Sequence, residues 1–143
     1  MDDNLQQTIL FTIDQTSKVA KQYSQQEFDQ IGIDITVDQW ILLKIIEQSD
    51  GLSQTDLAKL SIRDPASITR TLDILQRKKL VQRNPVPDNR RQYNISLTAN
   101  GSTFVRKHMD MVNQHRAKSI EGFSSEELRQ LNTMLLRIQK NMQ

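Results

Sequence analysis

The segment that most constrains the fold is DPASITRTLDILQRKK, residues 64–79. Asp64 is a favourable N-cap for a helix, because its carboxylate can accept a hydrogen bond from an otherwise unpaired backbone N–H. Pro65 suits the first helical position, where a backbone N–H would have no partner within the helix. At 100° per residue, one side of this helix carries Ile68, Thr71, Leu72, Leu75 and Lys79, and the three apolar members of this set are expected to face the core. The sequence therefore predicts an amphipathic helix with a narrow apolar stripe.

The opposite side of this helix has no bulky apolar residue in its first two turns. It carries Ala66, Ser67, Thr69, Arg70, Asp73 and Arg77. A helix enters the major groove of DNA when small residues allow close approach and short donors or an arginine reach base edges or phosphates. The alternative is an ordinary amphipathic surface helix, which the helix taken alone favours. The segments before and after it reverse that preference.

Two helix starts precede this segment, and each carries a capping box: Thr36 with Gln39, and Ser53 with Asp56. The first helix is strongly apolar from Trp40 onward, and we interpret the tryptophan as part of the core. A turn signal at residues 50–51 separates the two helices, and residues 61–63 link the second one to the segment described above. This order of helix, tight turn and helix predicts a helix-turn-helix.

The periodicity changes from helical to alternating after the segment. Residues 80–83 can form a strand, residues 84–89 are rich in turn formers, and residues 93–97 alternate with period two. The pattern predicts a β-hairpin whose tip carries Arg90 and Arg91, and a hairpin directly after a helix-turn-helix is a wing. Its arginines would suit a narrow minor groove, where the negative potential is enhanced. The alternative is a solvent-exposed hairpin whose arginines serve solubility.

Positive charge is concentrated in the same region. The whole chain has a net charge of only +2, but residues 61–92 carry eight Lys and Arg against three Asp, a local charge of +5. A phosphate backbone attracts such a segment through counterion release. A solvated charged face would have the same composition, so the charge supports a nucleic-acid partner only weakly.

Composition and motifs disfavour several other classes of protein. The chain has no cysteine, which excludes disulfides, thiolate metal sites and a cysteine-based oxidant sensor. No apolar run approaches the ~18 residues of a membrane span, and the acidic start MDDN is unlike a signal peptide. We therefore expect a cytoplasmic protein with no membrane partner. Because the sequence has no Gly-rich phosphate loop and no His–Glu zinc motif, we expect neither an enzyme nor a bound cofactor.

Helices are predicted on both sides of the helix-turn-helix and wing. Residues 2–30 have helical periodicity, Thr98 caps a helix that runs to about residue 119, and Ser124 with Glu127 caps a final helix. The final helix carries an unbroken apolar stripe: Leu128, Leu131, Leu135, Ile138 and Met142. Such a stripe requires a partner surface, and packing with the N-terminal helix across two chains is the favoured interpretation.

The helix after Thr98 has a seam-like spacing that suits pairing with another helix: Val105, His108, Val112 and His115. The two histidines would lie about 10.5 Å apart along the helix axis. That separation is too large for both to bind one zinc ion, whose bonds to nitrogen are about 2 Å long. No metal site is expected, although a metal-dependent regulator that uses His108 or His115 stays open as an alternative function.

Residues 40–101 resemble the MarR family of bacterial winged-helix transcription regulators. The resemblance rests on LSQTDLAKL, on SITRTLDILQRKKLVQR and on NRRQYNISLTANG. The family's wing usually shows Asp-x-Arg at a fixed distance before the Leu-Thr that opens the next helix. Counting back from that Leu-Thr places Asn89 and Arg91 at these positions, whereas Asp88 and Arg90 match only with one extra residue. Which of the two arginines reaches the minor groove is therefore left open.

The resemblance implies a mainly α-helical fold in a single compact chain. Residues 36–98 would form a winged helix-turn-helix DNA-binding region with a small β-hairpin wing, and residues 1–35 and 99–143 would supply dimerisation helices. The homodimer would present two recognition helices about 34 Å apart to a pseudo-palindromic operator in double-stranded DNA. The candidate DNA-binding residues are Ser53, Gln54, Thr55, Arg63, Ala66, Ser67, Thr69, Arg70, Arg90 and Arg91.

Within this set, Ser67, Thr69 and Arg70 are expected in the major groove, and Gln54 and Arg63 on phosphates. The resemblance implies a transcriptional repressor that a small phenolic or anionic ligand releases from DNA. The candidates for the ligand pocket, each of which is more often plain core, are Tyr23, Trp40, His108 and Met109. A second alternative function is a winged-helix module whose basic wing binds an acidic protein partner.

Overall fold

The computed structural model describes residues 4–49 and 51–143. The described elements are a 3-10 helix Leu5–Gln7, α1 Ile9–Ile31, α2 Val37–Gln48, β1 Leu52–Ser53, α3 Gln54–Ser61, α4 Pro65–Arg77, β2 Val81–Val86, β3 Asn89–Leu97, α5 Ala99–Ser119 and α6 Ser125–Asn141. The three strands form an antiparallel sheet with the order β1-β3-β2. The predicted fold class, mainly α-helical with a winged helix-turn-helix, is confirmed. None of the described helices has the length and hydropathy needed to cross a membrane.

The chain divides into two compact units, Met1–Met109 and Asp110–Gln143, and the boundary falls within α5. The first unit holds a core of side chains that are at most 1% exposed: Leu42, Leu43, Ile46, Leu57, Ile68, Leu72, Leu75, Ile95 and Val105. These residues come from α2, α3, α4, β3 and α5, so the helix-turn-helix and the wing share one core. The three apolar residues of the predicted α4 stripe all belong to it.

Local capping chemistry sets the helix starts as predicted. Both halves of the capping box are formed at three helices, by Thr36 with Gln39, Ser53 with Asp56, and Ser124 with Glu127. At α4, Asp64 Oδ2 accepts a hydrogen bond of 3.0 Å from the backbone N–H of Ser67. Thr98 Oγ1 accepts one of 3.0 Å from the N–H of Gly101 at the start of α5. Each cap satisfies a backbone donor that the helix itself leaves unpaired.

The N-terminal helix differs from its prediction. The sequence pattern favoured one helix over residues 2–30, but a 3-10 turn precedes Thr8, which has extended backbone angles, and α1 begins only at Ile9. The predicted start at Asp2 lies outside the described residues, as does Asp50 of the predicted turn. Thr8 Oγ1 donates to the carbonyl of Leu5, so a local side-chain hydrogen bond competes with helix continuation here.

Two predicted boundaries around the wing are wrong. The helical segment predicted to reach Lys79 is too long, because α4 ends at Arg77 and Lys79 has a φ of 61°. The hairpin loop is also shorter than the turn-rich composition suggested, since only residues 87–88 remain between β2 and β3. Pro85 is tolerated within β2 because β2 is an edge strand. On its open side there is no neighbouring strand to which a backbone N–H would have to donate.

The sequence pattern also missed β1 and misplaced one leucine. Leu52 pairs with Ile95 and Ser53 with Asn94, which joins the start of α3 to the central strand of the wing. Two residues are too short a strand to show any periodicity. The sequence predicts that Leu60 faces inward from α3 together with Leu57 and Ala58, but Leu60 is 58% exposed.

The turn between α3 and α4 contains a strained residue. Ile62 has φ 52° and ψ 48°, a left-handed conformation that costs a β-branched residue roughly 1–2 kcal/mol. Its side chain is 78% exposed, so little burial offsets that strain. We expect Ile62→Gly to raise the free energy of unfolding by about 0.5–1 kcal/mol, after allowing for the greater freedom of glycine in the unfolded chain.

Urea denaturation at fixed protein concentration measures this change. Lys79→Gly is the matched comparison, because Lys79 has a similar positive φ but an unbranched side chain. A smaller gain is expected there. Destabilisation by Ile62→Gly would mean that the exposed isoleucine makes a contact worth more than the backbone strain.

Candidate nucleic-acid interface

The outward face of α4 is exposed in the way that a groove-entering helix requires. Ala66, Thr69 and Arg70 are exposed in its first two turns, and Ser67 is half-buried. Arg70 has no hydrogen bond or ion pair to any described residue. Its guanidinium therefore keeps all of its donors for an external partner. Among the predicted α4 residues, Arg70 is the one best placed to bind bases or phosphates.

Arg63, by contrast, lies against α4. Its Nη2 donates to Ser67 Oγ and, at 3.0 Å, to Thr71 Oγ1. Thr71 is 6% exposed, and its hydroxyl donates to the backbone carbonyl of Ser67 at 3.0 Å. No carboxylate of the described residues pairs with this guanidinium. Arg63 therefore orients the Ser67 hydroxyl while its remaining N–H donors face no acidic partner.

Gln54 and Thr69, both predicted to contact DNA, are hydrogen-bonded to each other. Gln54 Nε2 donates to Thr69 Oγ1 at 3.2 Å, and the Thr69 hydroxyl donates to the carbonyl of Pro65 at 3.1 Å. The hydroxyl proton of Thr69 is thus directed back to its own helix. A base would meet the remaining lone pair or the methyl group, which suits the thymine methyl.

Arg83, on β2, contacts both Gln54 and Thr69. Sequence reasoning did not identify it as a site residue. Its Nη2 forms an ion pair of 2.8 Å with Asp73 Oδ1, and its Nε donates to Gln54 Oε1 at 3.2 Å. Its Nη1 donates to Gln76 Oε1, and Nη2 lies 3.5 Å from the carbonyl oxygen of Thr69. A signal was present in the sequence, because Arg83 shares a strand face with the buried Val81. An arginine at such a position needs an acceptor.

The wing carries Arg90 and Arg91 at the start of β3, and both are exposed. The register with β2 is irregular here, since Pro85 pairs with Tyr93 whereas Val86 pairs with Asn89. Asn89 Oδ1 accepts from the backbone N–H of Arg91 at 3.2 Å, and its Nδ2 donates to Gln92. The Asn89 side chain therefore fixes the backbone where the register is irregular. Because it is neutral, it offers no carboxylate with which the side chains of Arg90 and Arg91 could pair.

A surface cleft of about 430 Å³ lies between the start of α3 and the wing. Its lining brings together four of the predicted site residues, Ser53, Gln54, Thr55 and Arg91, whereas Arg90 does not line it. The backbone and hydroxyl of Ser53 hold the pKa of Asp56 below its ordinary value, so this cap is ionised at neutral pH. The cleft combines a helix N-terminus with an exposed arginine, a pair that favours a phosphate group and is opposed by the charge of Asp56.

A separate cluster of aromatic residues lies in the first unit. The Trp40 ring packs edge-on against Phe28 and lies 6.5 Å from Phe104, which in turn lies 4.5 Å from the His108 ring. Trp40 is 3% exposed, as its interpretation as core requires, and its Nε1 has no hydrogen-bond partner among the described residues. Burial, with Lys107 nearby, lowers the pKa of His108, which favours the neutral imidazole.

Within the described residues, no group of three His, Cys, Asp or Glu side chains could hold a metal ion.

The helix pair α3–α4, the hairpin β2–β3 and the short β1 that joins them define a winged helix-turn-helix protein. Residues 35–93 match the model of the MarR family. That match covers α2 to the wing and agrees with the resemblance expected from LSQTDLAKL, SITRTLDILQRKKLVQR and NRRQYNISLTANG. The resemblance of this chain to the MarR family is thereby confirmed.

Three solved structures are similar over nearly the whole chain. MepR of S. aureus, in a structure of a MepR–DNA complex, is 29% identical with a TM-score of 0.81, over 94% of this chain and 98% of that one. A MarR mutant from E. coli complexed with operator DNA is 21% identical with a TM-score of 0.82, over 96% and 99%. A MarR/EmrR family regulator from Acinetobacter sp. ADP1 is 20% identical with a TM-score of 0.88, over 97% of both chains. The last two likenesses, at about one-fifth identity, show the fold alone.

Proposed function

We propose that this protein is a sequence-specific, homodimeric DNA-binding transcriptional regulator of the MarR type, a cytoplasmic repressor without enzymatic activity that a small ligand releases from its operator. The observation that carries the proposal is the exposed face of α4, where Arg70 has no partner among the described residues. Arg90 and Arg91 are exposed on the wing of the same unit. MepR, whose fold this chain shares, has been solved in complex with DNA.

The proposed contacts follow from which donors are free. Arg70 and Ala66 meet base edges in the major groove, with the Ser67 hydroxyl held in place by Arg63. Arg91, with the α3 N-terminus at Ser53 and Thr55, binds a backbone phosphate in the cleft. Arg90, which does not line the cleft, is left for the minor groove.

The remaining two candidates have a narrower role in this proposal. Gln54 has one N–H left for a phosphate after its bonds to Thr69 and Arg83, and Thr69 offers a methyl group and a lone pair. We therefore expect Gln54 and Thr69 to make only weak contacts with DNA. Their main contribution to binding would be the position that they occupy on the surface.

Exposed apolar side chains in each unit support the homodimer. In the first unit, the residues that are 58–64% exposed near its N-terminal end are Leu5, Ile9, Leu10 and Val19. In the second unit, α6 buries none of its residues, and the apolar side chains exposed on it or directly after it include Leu131, Met134, Leu136 and Met142. Such apolar surface typically marks an interface. A second copy of the chain would cover it, and two-fold symmetry would pair the recognition helices on one face of the DNA.

The aromatic cluster around Trp40 supports the proposal of a small effector. A phenolic or anionic ligand could accept a hydrogen bond from the buried Trp40 Nε1 and pack against Phe104 and His108. Of the other predicted pocket residues, Tyr23 and Met109 are half-buried. Titration of the purified protein with salicylate, a phenol that is also an anion, tests this role by quenching of the single tryptophan.

Selection of bound sequences from a random pool of double-stranded DNA at near-physiological salt tests the DNA-binding function. We expect a pseudo-palindrome whose half-sites are about one helical turn, ~34 Å, apart. Binding without any enriched motif, lost as salt rises, would leave only non-specific charge attraction and refute the proposal. An acidic protein partner for the wing would then be the alternative.

The wing arginine gives a quantitative prediction. Arg91→Ala should weaken binding to many sequences alike and reduce the slope of log K against log salt by about one, because one phosphate contact is lost. Arg106→Ala is the matched control, since it removes the same charge from an exposed position on α5. If Arg91→Ala keeps the wild-type slope, Arg91 does not bind a phosphate.

A further inference from the structure

We propose that Arg83 is the positioning residue of the DNA-reading surface, a role that rests on the proposed function. One guanidinium connects three elements, because its partners are Gln54 on α3 and Thr69, Asp73 and Gln76 on α4, while Arg83 itself is anchored in β2. Its side chain is 17% exposed, and at Asp73 and Gln54 it makes bonds of 2.8 and 3.2 Å.

The geometry of the guanidinium explains why an arginine stands here. Its Nε points to Gln54, its Nη1 to Gln76, and its Nη2 to Asp73, so three edges of one rigid plane meet three acceptors. A planar fork of this kind fixes directions, which the single ammonium group of a lysine cannot do. Arg83 thus sets the rotation of α4 relative to the wing strand and to the start of α3.

The chain of hydrogen bonds reaches the predicted base-reading residues. Arg83 holds Gln54 Oε1, and the other end of the same amide donates to Thr69 Oγ1 on the exposed face of α4. Arg70 is the next residue along that face. Because base readout requires correct placement whereas phosphate attraction requires only charge, loss of this linkage should reduce specificity more than general affinity.

The same geometry argues against Arg83 as a direct phosphate ligand, since its ion pair with Asp73 neutralises its charge locally. Two variants separate positioning from charge. Arg83→Lys keeps the positive charge and removes the planar fork. Asp73→Asn keeps an amide oxygen as an acceptor but removes a negative charge from the surface. Arg77→Lys is the matched control, because Arg77 is exposed on α4 and its one hydrogen bond is to a backbone carbonyl.

The experiment measures affinity for the selected operator and for random DNA, with the full-length protein, at several salt concentrations. We expect Arg83→Lys to lower the ratio of operator affinity to random-DNA affinity about tenfold, which is the effect of losing one well-placed base contact. The dependence of binding on salt concentration should stay as in wild type, because the charge is kept. Asp73→Asn should lower the same ratio while random-DNA affinity stays equal or rises. Arg77→Lys should leave the ratio unchanged. A wild-type ratio in Arg83→Lys would overturn the proposal and make Arg83 a simple charge.

A second readout needs no DNA. Amide hydrogen exchange in residues 52–55 and 81–84 should be about tenfold faster in Arg83→Lys than in wild type or Arg77→Lys, because the linkage between α3 and β2 is loosened. Unchanged exchange would overturn the positioning role. If the wild-type protein enriches no DNA sequence, the proposed function fails, while the exchange result still decides whether Arg83 orders this surface.

Discussion

Replacing Gly101 with alanine is expected to lower the free energy of unfolding by about 3 kcal/mol. Gly101 lies in the first turn of α5, where the helix passes directly over the turn between α4 and β2. A Cβ at this position would lie 2.0 Å from the carbonyl oxygen of Leu80 and 3.0 Å from its carbonyl carbon. Both atoms belong to the backbone, so no side-chain rotation can relieve the clash, and α5 would have to move.

That movement would break hydrogen bonds that join the two segments. The N–H of Thr98 donates to the same carbonyl of Leu80 at 3.1 Å, and Thr98 Oγ1 donates to the carbonyl of Lys79 at 2.6 Å. Each is worth about 1 kcal/mol, so their loss accounts for most of the expected effect.

Urea denaturation at one fixed protein concentration measures the effect, since dimerisation makes apparent stability concentration-dependent. Asn100→Ala is the matched control, because Asn100 is exposed in the same helical turn, and its change should stay within about 0.5 kcal/mol. A stability of Gly101→Ala within the same range would show that α5 does not pack this closely on Leu80.

Arg70→Ala is expected to cost about 1–3 kcal/mol of specific binding to the best operator, a loss of roughly 5- to 150-fold. The physical reason is that Arg70 is exposed on the outward face of α4 and no described residue occupies its donors. Its five N–H groups can therefore bind a guanine edge bidentately without first breaking an internal bond. Preference at one base position in each half-site should weaken with the affinity.

Competition binding with operators that vary at each position measures both quantities. Arg77→Ala serves as the control, because Arg77 lies on the same side of α4 about 10.5 Å further along the axis and carries the same charge. It should weaken binding less and relax no base preference. An unchanged affinity of Arg70→Ala for the best operator would contradict the role of Arg70.

Interactions between residues close in sequence were predictable. Capping boxes join residues three apart, and Thr36, Ser53 and Ser124 all form them as the sequence indicated. The amphipathic stripe of α4 was equally readable, because helical periodicity places Ile68, Leu72 and Leu75 on one side of the helix. Errors occurred where a local signal was ambiguous, as in the turn formers of residues 84–86, which an edge strand accommodates.

Contacts between distant residues were not predictable in the same way. Arg83 has side-chain partners 7, 10 and 29 positions away, on two other elements, and no local pattern specifies that they meet. Gly101 belonged to a recognised motif, but its closeness to the Leu80 carbonyl depends on how α5 crosses the preceding turn. The strain at Ile62 is likewise a property of the turn geometry.

By itself, the sequence determined the kind of protein: a helix-turn-helix with a basic wing, because helix periodicity, caps and turn residues act over a few positions. It also supplied the candidate residues for contact with DNA. Which of their donors are free depends on the folded structure. Arg70 is unpaired among the described residues, whereas Arg63, Gln54 and Thr69 already bind other side chains. The reason is that a side chain's hydrogen-bonding capacity is limited, and folding determines where it is used.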